Sequence, residues 1–423
     1  MKALWTSTRS FPPAVRLLMA NQFAINLAFY MLMPYLAAHL AGELGLAAWA
    51  VGLVLGVRNF SQQGMFLLGG TIADRYGYKA PIMAGCLLRT VGFALLGIVD
   101  SLPVLVLASA ATGFAGALFN PAVRAYLAAG AGERRVEAFA TFNVYYQAGM
   151  LIGPLVGLSL LAADFRLVCL VAAGIFAALT VLQGRALPAR GTAGREAEGR
   201  NNVAAQWRTV VTNRPFVLFS LAMIGSYVLT FQIYLALPLA AGEAFGPAGT
   251  KATSLLFVLS AAVAVAGQLR LTGWAEARFS GDRALMRGLA LMGLAFVPLA
   301  LVALSGRAAP AVAAPAALAI AVIALSASSA IVYPFEMDTV VALSGNRLIA
   351  THYGLYNTVS GLGITLGNLA IGALWDYAAQ HHALWLVWAA LALTGTACAG
   401  AVFALSRTGR LHAPQQLQQP VIA

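Results

Sequence analysis

The sequence predicts an all-α membrane protein of twelve transmembrane helices, arranged as two pseudo-symmetric six-helix bundles. Three observations lead to this fold class. Hydrophobic residues make up 61% of the 423-residue chain and charged residues only 9%, which is too little charge for a soluble protein of this size. Apolar runs of about 20 residues, long enough to cross a bilayer, follow one another along nearly the whole chain. The two halves of the chain contain equal numbers of these runs and share a pattern of residues.

Twelve apolar runs define the predicted spans, six before and six after one long polar segment. Spans 1 to 12 cover residues 14–39, 47–73, 80–99, 103–128, 137–162, 165–184, 214–240, 252–275, 284–304, 313–339, 350–376 and 382–406. The polar segment is rich in arginine and glycine, which is typical of a solvated linker. The predicted domains are the first bundle 1–184, the cytoplasmic linker 185–213, the second bundle 214–406 and the cytoplasmic tail 407–423.

The placement of lysine and arginine predicts the orientation, because short positively charged connections stay on the cytoplasmic side. With both termini in the cytoplasm, 19 of the 26 basic residues fall in cytoplasmic segments. Four others lie within spans: Arg58, Arg89, Arg124 and Arg270. Arginine outnumbers lysine 23 to 3, which is typical of a bacterium with a G+C-rich genome. The expected location is therefore a bacterial inner (cytoplasmic) membrane.

Several classes of function are disfavoured by the residue types. The net charge of +12 is scattered between apolar spans without a basic, aromatic-interleaved patch, so we expect no nucleic-acid partner. Cys86, Cys169 and Cys398 lie in separate runs and the histidines lack metal-ligand spacing, so we expect neither a disulfide nor a metal site. The sequence contains no phosphate-cradling glycine loop with lysine and no catalytic constellation. We therefore expect no cofactor and no enzymatic activity.

The two halves repeat each other, a construction that is common in membrane transport proteins. Phe29, Tyr30 and Pro34 of span 1 recur 204 residues later as Ile233, Tyr234 and Pro238 of span 7. Further matched sets are Gly70 with Gly273, Arg75 with Arg278, Pro121 with Pro334, and Gly149, Gly153 and Leu158 with Gly363, Gly367 and Gly372. Their constant order predicts two bundles related by pseudo-symmetry.

A glycine-rich turn closes span 2 and leads into span 3. Residues 69–79 read GGTIADRYGYK, which resembles the G-x-x-x-D-R-x-G-[RK]-[RK] loop of the major facilitator superfamily. The matching residues are Gly70, Asp74, Arg75, Gly77 and Lys79, while Tyr78 replaces one basic residue. The resemblance implies that Asp74 braces the start of span 11 near Ala350 and Thr351, and holds the inner side closed. The alternative is a tight turn whose basic residues only set the topology.

A second motif lies in span 5, where residues 149–157 read GMLIGPLVG. Its matching residues, Gly149, Gly153, Pro154 and Gly157, resemble the G-x-x-x-G-P-x-x-G signature of the antiporter branch of that superfamily. This resemblance favours export over uptake; the alternative is a packing seam without directional meaning. Segments 55–77 and 164–169 look most like drug/proton antiporters of the multidrug resistance type, and related bacterial exporters carry siderophores or sugars.

The expected proton site departs from that branch. Many such antiporters carry a carboxylate in the first helix, but span 1 here contains no acid. Glu336 in span 10 is the first candidate for proton coupling, because its matched position in the first half is next to Arg124 and the two opposite charges could meet across the domain interface. Asp338 is the second candidate. The alternative role is a structural ion pair that gates the cytoplasmic side.

Polar side chains at helical spacing mark candidates for a central cavity. The candidates are Gln22, Asn26, Tyr30, Arg58, Gln62, Asn143, Gln147, Thr230, Tyr234, Tyr353 and Asn357. Arg58 is a candidate for an anionic group of the substrate, with structural pairing as the alternative. The mixture of aromatic and amide groups suits a moderately amphipathic ligand.

Together these features predict a secondary active transporter that exports a small organic molecule, a drug-like compound or a siderophore, by proton antiport and alternating access. We expect a monomer in the lipid bilayer, with the small-molecule substrate and protons as its partners. Two alternatives remain open. One is an uptake symporter or uniporter for a nutrient, which the missing acid in span 1 favours, and the other is a non-transporting membrane sensor.

Overall fold

The computed structural model describes residues 2–188, 203–305, 310 and 312–411, and every regular element in this part of the chain is a helix. Spans 1 to 6 are Pro13–Gly42, Ala48–Gln63 with Phe66–Tyr76, Lys79–Ile98, Leu102–Ala131, Arg135–Leu161 and Phe165–Ala186. Spans 7 to 12 are Arg214–Ala222 with Ile224–Phe231 and Ala236–Phe245, Gly249–Arg278, Gly281–Leu294 with Val297–Ser305, Ala313–Leu343, Ile349–Gln380 and Trp385–Arg407. Two short helices, Lys2–Arg9 and Val203–Thr212, precede the two halves.

Ten stretches of the described chain are long and apolar enough to cross a membrane. One of them, Leu102–Leu161, contains 60 residues, or about 90 Å of helix, and therefore represents two crossings, spans 4 and 5. Span 2 is not among the ten because it is interrupted at Gly64 and Met65. The ten stretches and the interrupted span together account for all twelve predicted spans.

The helices pack as two groups that follow the two halves of the sequence. In the first half, span 1 packs on span 5, and span 3 packs on spans 4 and 6. In the second half, span 8 packs on span 10, and span 9 packs on spans 10 and 12. The halves meet where span 2 contacts span 11 and where span 5 contacts spans 8 and 10. This contact region between the halves is called the seam below.

The outer faces of the helices keep large apolar side chains exposed, such as Leu107, Leu155 and Val181. Exposure of this kind is expected where the surroundings are lipid tails rather than water. The span ends that are predicted to face the cytoplasm are called the inner ends below.

The linker differs in part from its prediction as a polar, solvated segment. Its last part forms the helix Val203–Thr212, in which Gln206 and Val210 are buried. Residues 189–202 of the linker and residues 412–423 of the tail lie outside the described residues. The limits of the four predicted domains stay a prediction.

Candidate functional site

A cavity of about 200 Å³ lies between the two halves. Spans 4 and 5 of the first half and spans 7, 9 and 10 of the second half form its walls. A second cavity of about 90 Å³ adjoins it, and Asn143, Gln147, Thr230 and Ser329 line both. Amide, hydroxyl and aromatic groups therefore surround a space at the seam, as a site for a small amphipathic ligand requires.

One acid and one base face the larger cavity, and they come from different halves. Arg124 of span 4 and Glu336 of span 10 both line it. The Arg124 guanidinium donates to Oδ1 of Asn357 at 2.8 Å, and Tyr333 lines the same cavity. Arg124 and Glu336, both described, make no direct ion pair. Opposite charges thus share one cavity across the seam while each is held by uncharged partners.

Glu336 is held by a hydroxyl group of the second half. Its side chain is only 3% exposed, and the Tyr356 hydroxyl donates a short hydrogen bond to its Oε1. Tyr227 lines the cavity that this carboxylate faces. A buried carboxylate that is not fixed in a salt bridge can take up a proton without leaving an unpaired buried cation behind.

The predicted cavity residues are divided between the two cavities and their surroundings. Those that line a cavity are Asn143, Gln147, Thr230 and Tyr234. Asn357 lies one contact away, through Arg124. Tyr353 is fully buried between spans 10 and 11, and its hydroxyl donates to the carbonyl of Met337 at 2.8 Å.

Gln22 and Asn26 of span 1 are buried but line neither of these two cavities. Asn26 lies beside span 5, since a Cβ atom built on Gly149 would be 2.9 Å from the Cβ of Asn26. The polar stripe that helical spacing indicates on span 1 therefore faces span 5 rather than the open space.

Tyr30, Arg58 and Gln62 form a separate polar cluster inside the first half. Arg58 donates to Oδ1 of Asn59 at 2.8 Å and to Oε1 of Gln62 at 3.2 Å. Tyr30 packs against Gly153 of span 5, and Tyr146 of the same span lines the larger cavity. Span 5 therefore lies next to both this cluster and the cavity.

Several residues of the site have no place among the sequence candidates. They are Tyr146, Tyr227, Gln268, Tyr333 and Tyr356. The carbonyl of Gln268 accepts a 2.7 Å hydrogen bond from Asn143 across the seam. Gln268 and Thr272 lie four residues apart on span 8, so the spacing used for the other spans would have found this pair. Single tyrosines in apolar spans carry no such signal.

Asp74 lies at the inner end of span 2 and reaches the first turn of span 11. Its carboxylate accepts hydrogen bonds from the backbone N–H groups of Ala350 at 3.1 Å and Thr351 at 2.7 Å. The Thr351 hydroxyl donates a third bond at 2.8 Å. The first N–H groups of a helix lack partners within the helix and carry partial positive charge, so a buried carboxylate is well placed here.

The other residues of the loop motif support this contact. At Gly70 a Cβ atom would lie 2.1 Å from the carbonyl oxygen of Ala350, so only glycine permits this approach of spans 2 and 11. Gly77 has φ of +82°, a conformation that favours glycine. Lys79 Nζ donates to the carbonyl of Gly184 at 2.8 Å, and Arg75 is exposed.

A second inner contact joins spans 5 and 10. Arg135 Nε and Asp338 Oδ1 form a salt bridge of 2.5 Å between the two halves. Both side chains keep about a quarter of their surface exposed, at 26% and 30%. The structure thus places the second proton candidate in an ion pair that joins the inner ends.

The span 5 signature packs against span 1 within the first half. Cβ atoms built on Gly149 and Gly157 would lie 2.4 Å and 2.0 Å from carbonyl oxygens of span 1. At Gly153 the corresponding contact with span 1 is 2.9 Å. The carbonyl of Pro154 accepts a 2.7 Å hydrogen bond from the Tyr35 hydroxyl of span 1. The three glycines therefore let two spans of one bundle approach at backbone distance.

The helix Val203–Thr212 lies against the same inner end of the seam. Trp207 Nε1 donates to the hydroxyl of Thr71 at 2.8 Å, next to the motif residue Gly70. The end of the linker is thereby attached to span 2.

The family model described as Major Facilitator Superfamily matches residues 18–368. The chain belongs to the major facilitator superfamily. It is therefore a multi-pass membrane transporter, and the family implies a transporter rather than an enzyme. The predicted family and fold class are confirmed.

Individual relatives are consistent with this membership. An uncharacterised MFS-type transporter of Mycobacterium tuberculosis is 53% identical over 416 residues, covering 96% of this chain and 98% of that protein. The Multidrug resistance protein MdtH of Yersinia pestis is 34% identical over 277 residues, which cover 65% of this chain and 67% of the MdtH chain. The crystal structure of the E. coli fucose:proton symporter FucP superposes with a TM-score of 0.71 at 14% identity, covering 93% and 98% of the two chains, and supports the fold.

Proposed function

We propose that this transporter exports a small amphipathic organic molecule, a drug-like compound or a siderophore, in exchange for protons. One observation carries the proposal: the buried carboxylate of Glu336 faces the same cavity as Arg124 across the seam. The similarity to a protein named for multidrug resistance and the span 5 signature support export.

Alternating access follows from the contacts at the inner ends. Two contacts join the two halves at the inner ends. They are the hydrogen bonds of Asp74 in span 2 to the first turn of span 11, and the Arg135–Asp338 ion pair. Both contacts must break before the cavity opens inward, because spans 2 and 5 belong to one bundle and spans 10 and 11 to the other. The two bundles then rock about the cavity.

Proton coupling is assigned to Glu336. The ionised carboxylate attracts the Arg124 guanidinium across the cavity, so that the two opposite charges stabilise each other. A substrate that donates a hydrogen bond to Glu336 in the cavity needs this ionised form, so substrate and proton compete for the same carboxylate. Binding of substrate and loss of the proton are thereby linked at one residue.

The test begins with a deletion strain that is screened for hypersensitivity to a compound panel and for siderophore retained inside the cell. The compound it identifies is then assayed in proteoliposomes with wild-type protein, E336Q and D376N. D376N makes the same change at an exposed carboxylate on span 11 and serves as the control. E336Q should abolish substrate-driven proton movement and D376N should retain it. Normal coupling in E336Q rules the residue out as the carrier.

Nutrient uptake is the second candidate, because span 1 lacks the acid that many antiporters carry. The direction of transport separates the two functions. Everted membrane vesicles should accumulate the compound if the protein exports it, whereas right-side-out vesicles should accumulate it if the protein imports it.

We further propose a monomer in the inner membrane with both termini cytoplasmic. The positive bias of the predicted cytoplasmic segments supports this orientation. A reporter that works only in the cytoplasm should be active when it is fused to either terminus, and a reporter that works only in the periplasm should be inactive there. A periplasmic signal from either terminus would overturn the orientation.

A further inference from the structure

A buried arginine in the first half has no acidic partner among the residues that the structure describes. Arg89 of span 3 is 6% exposed, and its Nε lacks a hydrogen-bond partner. Its guanidinium carbon lies 5.3, 6.0 and 5.4 Å from the ring centroids of Phe29, Phe119 and Phe176. Aromatic faces attract the cation, but they replace only part of the hydration that it has lost.

A second arginine approaches the same aromatic ring. The guanidinium carbon of Arg58 is 4.7 Å from the centroid of Phe29. The two guanidinium carbons are therefore at most about 10 Å apart. The Nε of Arg58 is also buried without a partner. Two like charges are thus held near each other inside one bundle, with Arg89 buried and Arg58 partly buried.

Carboxylates of the first half are placed too far away to neutralise this pair. The acids in described residues 2–188 all lie at span ends or in connections: Glu43, Asp74, Asp100, Glu133, Glu137 and Asp164. Asp74 follows Arg58 by sixteen residues, which is about 24 Å along a helix. Its carboxylate is already bound to span 11.

Uncharged hydrogen-bonding groups surround the pair and connect it to the cavity. A Cβ atom on Gly116 would lie within 3.2 Å of Gln62 Cδ and 3.3 Å of Arg89 Nη2, so glycine keeps space between spans 3 and 4. The ring centroid of Tyr30 lies 5.2 Å from that of Phe29, the ring that both arginines approach. Tyr30 packs against span 5, and Tyr146 of that span lines the larger cavity.

We propose that Arg58 and Arg89 bind an oxyanion group of the substrate, a carboxylate, sulfonate or phosphate, while its organic body occupies the cavity beside Tyr146. Guanidinium groups match oxyanions because their N–H donors form planar forks. Phe29 offers an apolar face to the carbon atoms next to that group. This inference rests on the proposed transport of an organic molecule and narrows it to anionic amphipathic compounds.

A lipid headgroup is a poor source for this oxyanion. Arg58 lies ten residues after the start of the helix Ala48–Gln63 and eighteen before the end of Phe66–Tyr76. At about 1.5 Å per residue, it is some 15 Å from one end of span 2 and 27 Å from the other. Headgroup phosphates lie near those ends.

The test compares two probes that share an aromatic body and differ in charge, 1-naphthoate and 1-naphthamide. Purified full-length protein in nanodiscs is titrated with each probe, and the rise in Tm gives an apparent Kd. Wild-type protein should bind naphthoate at least tenfold more tightly than naphthamide. R58Q and R89Q should each weaken naphthoate binding by roughly ten- to a hundredfold and leave naphthamide binding unchanged.

Matched control variants distinguish the loss of positive charge from the loss of the folded structure. R89K, which retains the positive charge, should recover part of the preference for naphthoate. R270Q removes an exposed arginine of span 8 and should behave as wild type. If R89Q fails to fold, R58Q carries the test, because Arg58 is only partly buried.

Three results overturn the proposal. They are equal affinity of wild-type protein for both probes, an unchanged naphthoate preference in R58Q and R89Q, or inorganic phosphate displacing naphthoate at equal concentration, which would indicate a site for the free ion. Binding in nanodiscs needs neither a gradient nor a direction of transport. Failure here therefore leaves proton-coupled export standing, and failure of export leaves the anion site standing.

Discussion

Substitution of Asp74 by Asn tests how the inner side of the transporter is held closed. The carboxylate accepts three hydrogen bonds from Ala350 and Thr351 across the seam, and the side chain is only 6% exposed. Asparagine has nearly the same shape, but it has one carbonyl oxygen and no charge. Its amide N–H₂ group would face an N–H donor and leave that donor unsatisfied.

The magnitude follows from the bonds that are lost. Hydrogen bonds to a charged group contribute roughly 1.5 to 3 kcal/mol each. Since asparagine retains part of the contact with span 11, D74N should destabilise the inner-closed form by about 2 to 4 kcal/mol relative to the inner-open form. The equilibrium between the forms then shifts by roughly 30- to 1000-fold toward inner-open.

Distance measurements between spin labels can detect this shift. Glu133 and Arg283 are exposed at the inner ends of the two halves, and labelled cysteines there would report their separation once the native cysteines are replaced. Wild-type protein should give mainly the short distance, and D74N should give mainly a longer one. D164N, at an exposed outer connection, should match wild type. Identical distance distributions in D74N and wild type would refute the reasoning.

Two further changes test the seam and the first bundle. D338N removes the ion pair with Arg135; because both side chains are partly solvated, it should favour the inner-open form by no more than about 1 kcal/mol, well below D74N in the same spin-label assay. A larger effect for D338N than for D74N would contradict this ranking. G157A should lower stability by about 1 to 3 kcal/mol, because its Cβ would lie 2.0 Å from the carbonyl oxygen of Met31. G174A is the control, since no atom lies within 4 Å of its added Cβ, and equal thermal unfolding of the two variants would argue against a tight crossing of spans 1 and 5.

The structure agrees with the sequence predictions more closely for the motifs than for single polar side chains. Asp74 and Gly70 lie where the motif resemblance implied, against Ala350 and Thr351. A motif of this kind combines a turn, a close approach and a charge, and few arrangements satisfy all three. The break of span 2 at Gly64 left no comparable signal, because one glycine in an apolar run is compatible with a continuous helix.

Polar stripes were less informative than motifs. Gln22 and Asn26 share a helix face, as their spacing predicts, but that face packs on span 5. Asn143 and Gln147 have the same spacing and do line the cavity. Helical periodicity specifies which residues lie together on a helix, and the neighbour that covers them depends on how the helices pack.

The sequence by itself predicted twelve spans and marked spans 2 and 5 by their glycine-rich motifs, because bilayer thickness and close backbone approach impose local requirements on composition. Only the tertiary structure brought Tyr356 onto Glu336, placed Tyr227 and Arg124 in the same cavity, and left Arg58 and Arg89 without a carboxylate partner among the described residues. These groups come from spans far apart in the chain. Their distances depend on the packing of whole helices, for which no local pattern of residues exists.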